Sequence, residues 1–244
     1  MRAAVYAATR NLYDDLIPAI KSLVCNSNVD KVYILAEDDD IGQWLPNFCE
    51  VINVSEQTIF LPHEPNWKNG WSWMTLMKAT YHRYLPVDTV LALDVDTICC
   101  QDVSPLFDID MSAYLFAGVR ETTYLDTPEA PYRNAGVMLL NLDKLRRSGV
   151  GDEIISALKR RKWSFLEQDV YNLACSGAIF ELPREYNAGR GTVPYGEPII
   201  RHFMGEHQNW KISTQYTHYF NMPWEVALRR EGVNPCRSKT TVVR

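Results

Sequence analysis

Apolar positions along the first hundred residues switch repeatedly between the two spacings that define strands and helices. "AAVYAAT" (3–9) reads as a strand, and "DDLIPAIKSLVC" (14–25) carries Leu16, Ile20 and Leu23 on one helical stripe. "KVYILAE" (31–37) and "CEVINVS" (49–55) are short β-branched strands. "WSWMTLMKATYHRYL" (71–85) places Trp73, Met77, Tyr81 and Tyr84 at helical spacing, and "DTVLALDVD" (88–96) is the next strand. This order predicts right-handed β-α-β units, a Rossmann-like N-terminal half with a parallel sheet.

After Asp96 the pattern changes. "SPLFDID" (104–110) reads as a turn, "YLFAGV" (114–119) as a strand, 121–133 as a loop and "NAGVMLLNL" (134–142) as a strand. A helix over about 143–162 follows, ending in "KRRK", read as a solvated C-terminus where cations suit the macrodipole. "LEQDVYNLAC" is helical, "AIFELP" a strand, and 188–198 a Gly/Pro-rich run. The expectation is a single α/β domain over 1–244 with a mixed sheet. Its parts are an N-terminal half (about 1–100), a second half (about 101–220) and a tail (about 221–244).

Composition narrows the class. The chain has 244 residues, 46% hydrophobic and 23% charged, with a net charge of -5. A nucleic-acid partner would call for a basic surface, so none is expected. No apolar run approaches the ~18 residues of a membrane span. The N-terminal segment lacks the apolar core of a signal peptide. Six cysteines without a C-x-x-C pair predict reduced, mostly buried thiols and a cytoplasmic protein.

The segment "LALDVDTICC" (91–100) ends an apolar strand with Asp94 and Asp96, one residue apart. Strand side chains alternate, so both carboxylates are expected to face one spot. In open α/β sheets that spot, outside the carboxyl ends of the strands, is where ligands bind. Thr9, Arg10 and Asn11 follow the first strand on the same rim. Three readings compete. Asp96 can start a turn with Asp94 accepting backbone hydrogen bonds. "LALDVDTI" also resembles the first motif of haloacid-dehalogenase phosphatases, with Asp94 as nucleophile, although Ser156 stands where a second acidic motif after Gly151-Asp152 would need an aspartate. The third is a divalent-ion site for a nucleotide diphosphate, since hard carboxylates bind such an ion and leave positions for phosphate oxygens.

Six ordered segments decide among them: "VYAATRN", "LALDVDT" with "SPLFDID" after it, "RNAGVMLLNL", "LEQDVYN", "LPREYNA" and "IRHFMGEHQNW". Together, over about 3–211, they resemble glycosyltransferase family 8, the group of glycogenin and the bacterial lipopolysaccharide galactosyltransferases. The resemblance implies a GT-A type fold, a UDP-hexose donor (glucose or galactose), Mn2+ with Mg2+ as the alternative, and retention of anomeric configuration. Asp94, Asp96 and His202 would then bind the ion. Ala7, Thr9 and Asn11 would contact the nucleoside, Gly205 would admit the diphosphate, and Asn134, Ala135 and Gly136 would line the sugar pocket. Gln168 would stabilise positive charge at the anomeric carbon, with Asp169 hydrogen-bonding the sugar and Glu167 solvated. Glu121 falls near the donor or acceptor sugar.

This chain departs from the family at three places. Thr9 stands where an acidic residue is frequent. Met77 stands where an arginine is expected, with Lys78 beside it as the substitute. Gln208 replaces a lysine that neutralises the diphosphate, leaving His207 and Lys211 to compensate. The acceptor, whether saccharide, glycolipid or protein, has no signature. The tail, with five basic and two acidic residues, predicts a short helix over about 224–231, packed on the domain or resting peripherally on an anionic membrane. A non-catalytic nucleotide-sugar binding protein is the remaining alternative.

Overall fold

The computed structural model describes residues 1–121, 131–189, 196–204 and 211–229. Among the described residues the strands are β1 (Ala3–Ala8), β2 (Lys31–Ala36), β3 (Cys49–Asn53), β4 (Thr89–Leu93), β5 (Thr97–Cys99), β6 (Phe116–Arg120), β7 (Arg133–Asn141), β8 (Ile179–Leu182) and β9 (Ile200–His202). Seven share one sheet in the order β3-β2-β1-β4-β7-β6-β8, while β5 and β9 pair separately. Strands β1 to β4 run parallel to their sheet neighbours up to β7, which runs against β4 and β6. β8 is again parallel to β6. The mixed sheet thus draws strands from both halves of the chain.

Alternation sorts the side chains of β1 into two cores. Ala4, Tyr6 and Ala8 pack on one face, beneath α1 (Tyr13–Asn26), α7 (Thr214–Asn221) and α8 (Trp224–Leu228). Ala3 and Val5 pack on the other. That second face is covered by α2 (Met74–Met77), α3 (Tyr81–Tyr84), α4 (Leu142–Ser148), α5 (Val150–Arg160) and α6 (Leu166–Ala174). A sheet covered on both faces is why its strands read as nearly continuous apolar runs.

Several boundaries differ from the sequence expectation. The helix over 71–85 is broken: a 3-10 turn at Lys78–Thr80 separates α2 from α3, and Thr80 donates its hydroxyl back to the Met77 carbonyl at 2.7 Å. The break leaves both Met77 and Lys78 buried. The helix over 143–162 is two helices, because Gly149 adopts a left-handed conformation (φ 77°) and caps α4 before α5 begins. Arg160, Arg161 and Lys162 of "KRRK" are exposed, as a solvated helix end requires.

The strand over 88–96 stops at Leu93. Asp94 opens a turn whose Thr97 N–H and hydroxyl both donate to the Asp94 carbonyl, at 3.2 and 2.6 Å. The carboxylates converge through this turn rather than through strand alternation. α7 has no counterpart in the sequence reading. α8 lies on the domain, with Ala227 buried and the Trp224 indole N–H donating to the Trp44 carbonyl at 3.0 Å. The tail beyond 229, with its proposed membrane contact, lies outside the described residues, as do 122–130 and 190–195 of the two loops. Cys25, Cys49, Cys99 and Cys175 are free thiols, whereas Cys100 is disulfide-bonded, against the expectation of six reduced cysteines. Among the described residues no helix is long and apolar enough to cross a membrane.

Candidate active site

The turn after β4 meets β9, and this pairing builds the site. β5 pairs antiparallel with β9 so that Thr97 lies opposite His202, and Phe203 N–H donates to the Asp96 carbonyl at 3.0 Å. His202 Nε2 thereby comes within 3.3 Å of Asp96 and 3.8 Å of Asp94. Asp94, Asp96 and His202 offer one ligand atom each, all within 4.8 Å of one another. Two carboxylates and an imidazole form a mixed O/N set of the kind that can hold a divalent metal ion. Burial opposes charge on His202, but the two carboxylates outweigh it and raise its pKa. Burial likewise opposes charge on Asp96, but His202 and Lys78 hold its pKa below the ordinary value.

A glycine makes room for this imidazole. The Asp94 N–H donates to the Gly136 carbonyl at 2.8 Å, so the end of β4 is tied to β7 there. A Cβ on Gly136 would fall on the His202 ring, 2.6 Å from Nδ1 and 2.8 Å from Nε2. Gly136 therefore lies against the imidazole, not simply along a pocket wall.

Lys78, brought inward by the 3-10 turn, forms an ion pair with Asp94 and a second with Glu167 at 3.2 Å. Glu167 is buried, not solvated as expected. Burial raises its pKa to about 7; Lys78 opposes this rise and Asp94 adds to it. The pH consequence has a definite sign. An acid whose folded pKa exceeds its unfolded value binds more protons when folded, so stability falls as pH rises through the interval between the two. The metal-free protein should therefore lose stability between about pH 4.5 and 7, and Glu167→Gln should flatten that part of the profile. Melting temperatures of both proteins in chelator across this range give the check; parallel profiles would refute it.

Gln168 accepts the Ala135 N–H at 2.8 Å, and its amide nitrogen lies 3.4 Å from both Glu121 and the Tyr132 hydroxyl. The helix presenting it starts at Leu166 with a positive φ of 49°, the kind of backbone strain that clusters at functional sites. Asp169 spends its two oxygens on protein donors, the Tyr132 hydroxyl at 2.5 Å and the Phe165 N–H at 2.8 Å. It thereby fastens the start of α6, with one lone pair on each oxygen still free to accept. Asn134 donates to buried Glu121 at 3.1 Å.

On the nucleotide rim, Ala7 is half-buried, Asn11 is exposed, and the buried Thr9 hydroxyl has no hydrogen-bond partner among the described residues. Two residues to which the sequence assigns no role also make site contacts. Glu37, just after β2, accepts the Arg10 N–H at 2.9 Å and the Trp73 indole N–H at 2.8 Å. Asn187 bonds both His202 and Asn134, at 2.8 Å each. "LPREYNA" flagged Asn187 without a role, and Glu37 had no signal beyond its place at a strand end. Lys211 pairs with Asp15 of α1 at 2.8 Å. Gly205, His207 and Gln208 lie outside the described residues.

This geometry has clear relatives. The chain belongs to glycosyl transferase family 8, whose family model matches residues 5–214. It is 25% identical over 244 residues to Glycosyltransferase GlyB of Streptococcus pneumoniae, covering 92% of this chain and 58% of that protein. It is 31% identical over 115 residues to the lipopolysaccharide 1,2-glucosyltransferase of Escherichia coli K12, covering 42% of this chain and 34% of that enzyme. The chain thus spans less than two thirds of these curated relatives. Among solved structures, the galactosyltransferase LgtC in complex with donor and acceptor sugar analogs superposes with a TM-score of 0.73 at 18% identity, covering 93% of this chain and 100% of that one. GlyE of Streptococcus pneumoniae gives 0.72 at 20% identity, covering 93% and 62%. The fold is that of the GT-A glycosyltransferases. Family membership sets aside the phosphatase reading, and Asp152 is engaged with His82 and Arg83 instead of any acidic partner motif.

Proposed function

We propose that the protein is a metal-dependent, retaining glycosyltransferase that moves glucose or galactose from a UDP-sugar to an acceptor hydroxyl. The observation that carries this reading is the Asp94–Asp96–His202 cluster at the carboxyl end of β4 in a family 8 chain. These three side chains would hold Mn2+. Such an ion supplies a Lewis acid to the departing diphosphate. The Thr9 hydroxyl, without a partner among the described residues, would offer a hydrogen bond to the nucleoside beside Ala7 and Asn11. Lys78 would hold the Asp94 carboxylate in place through their ion pair, while Glu167 holds Lys78 through a second one.

Gln168 Oε1 gives one lone pair to the Ala135 N–H. The other remains for positive charge developing at the anomeric carbon, an electrostatic role realised in the transition state. The departing phosphate takes the acceptor's proton, so no side-chain base is needed. Gln168→Ala should therefore lower kcat by about a hundredfold while UDP affinity stays within about threefold. Full rate in this variant would remove Gln168 from the mechanism.

The direct test is incubation of the protein with Mn2+, UDP-glucose or UDP-galactose, and a panel of saccharide acceptors. UDP release shows turnover, and NMR of the transferred sugar gives its anomer. An α-linked product supports the proposal and a β-linked product refutes retention. UDP binding without release from any donor would identify a non-catalytic nucleotide-sugar binding protein.

A further inference from the structure

We propose that Asn187 is a positioning residue that fixes the tautomer and orientation of His202 for metal binding. This rests on the metal-site reading above.

A chain of hydrogen bonds with forced polarity carries the inference. The Gly136 N–H lies 2.8 Å from Asn134 and can only donate, so Asn134 must present Oδ1 to it. Asn187 reaches that same oxygen at 2.8 Å and must give it Nδ2–H. Asn187 Oδ1 is then the atom facing His202 Nδ1, again at 2.8 Å, and as a carbonyl it accepts. His202 therefore carries a proton on Nδ1, and a neutral ring presents its lone pair from Nε2 towards Asp94 and Asp96. A backbone N–H thus dictates the tautomer of a metal ligand two side chains away. Partners of this kind typically change metal affinity 10–100-fold when removed.

The arrangement is built, not incidental. Asn187 is completely buried at the end of the 3-10 turn Arg184–Asn187. The backbone following this turn is fixed independently, with Ala188 N–H donating to Ile200 and His202 N–H donating to Ala188, both at 2.9 Å. Removing the side chain therefore deletes the acceptor without releasing β9. From Asn134 the chain continues through Glu121 to Gln168. The metal ligand and the residue proposed to face the sugar therefore share one network.

The test is manganese chloride titrated into the full chain, with free ion counted by electron paramagnetic resonance and folding followed by thermal melts. Asn187→Ala should weaken manganese binding about ten- to hundredfold, yet add nothing in a His202→Ala background, because it acts through that ring. Asn187→Asp keeps an acceptor for Nδ1–H but loses the N–H given to Asn134 Oδ1, so it should weaken binding less than Asn187→Ala does. Should Asn187→Ala fail to fold, Asn187→Leu fills similar space without an acceptor and carries the same expectation. Equal weakening with and without His202, or unchanged affinity in Asn187→Ala where His202→Ala weakens it, would overturn the inference alone. Manganese binding indifferent to His202→Ala would overturn both the inference and the metal-site reading.

Discussion

Asp96→Asn is expected to lower manganese-dependent UDP binding at least about a hundredfold, or roughly 2.7 kcal/mol. Asn keeps the size of Asp but removes the charge. The site would lose one of its two anionic ligands, and His202 Nε2 would lose its nearer carboxylate, at 3.3 Å. A hard divalent ion draws its affinity from ligand charge as well as ligand number. Calorimetry of UDP with and without Mn2+, on both proteins, measures the effect. Binding that needs the metal and Asp96 together establishes the site. Equal binding to both proteins would sink the assignment of the ion to this cluster.

Gly136→Ala should damage the same site from the opposite side. The added Cβ would lie 2.6 Å from Nδ1 of a buried imidazole, a separation that real Cβ atoms essentially never show. The ring is already held by Asn187 on one nitrogen and faces Asp96 with the other. Either the imidazole swings away from the carboxylates or β7 shifts. Forcing atoms into a packed interior costs about 1–3 kcal/mol, which for a chain of this size lowers the melting temperature by several degrees. Manganese affinity should fall as far as in His202→Ala. Calorimetric melting with the same manganese titration reads both effects, and a stable variant with unaltered affinity would show that the glycine is not needed for the imidazole.

Much of the scaffold was legible because strand and helix periodicities are local. The apolar run of β1 and the stripe of α1 each identify their element within a few residues. The breaks were less visible. Gly149 was present to be read, but only its positive φ shows that it ends one helix. Lys78 sat in a helical pattern, and nothing nearby announced the 3-10 turn that buries it beside Met77.

The site divides in the same way. The D-x-D pair, Asn134 to Gly136, Gln168 and His202 could be named from motif order, since each sits in a short, ordered segment. In sequence Glu167 reads as solvated, because "LEQD" at a helix start resembles a surface N-terminus. Glu167 is buried, and its ion-pair partner Lys78 lies on a distant segment. Glu37 and Asn187 escaped because their roles consist of partners, not spacing.

Residue order alone sets which side chains are on offer: two carboxylates at a strand end, a histidine in a later motif, and a glycine in a buried strand. Tertiary structure alone decided that β5 would pair with β9, bringing His202 to Asp94 and Asp96. It alone decided that a backbone N–H of β7 would set the polarity of the Asn134–Asn187–His202 chain. The physical reason is that strand propensity is a property of neighbours in sequence. A hydrogen bond's direction and a carboxylate's pKa instead depend on which groups share a buried space, and those groups come from distant parts of the chain.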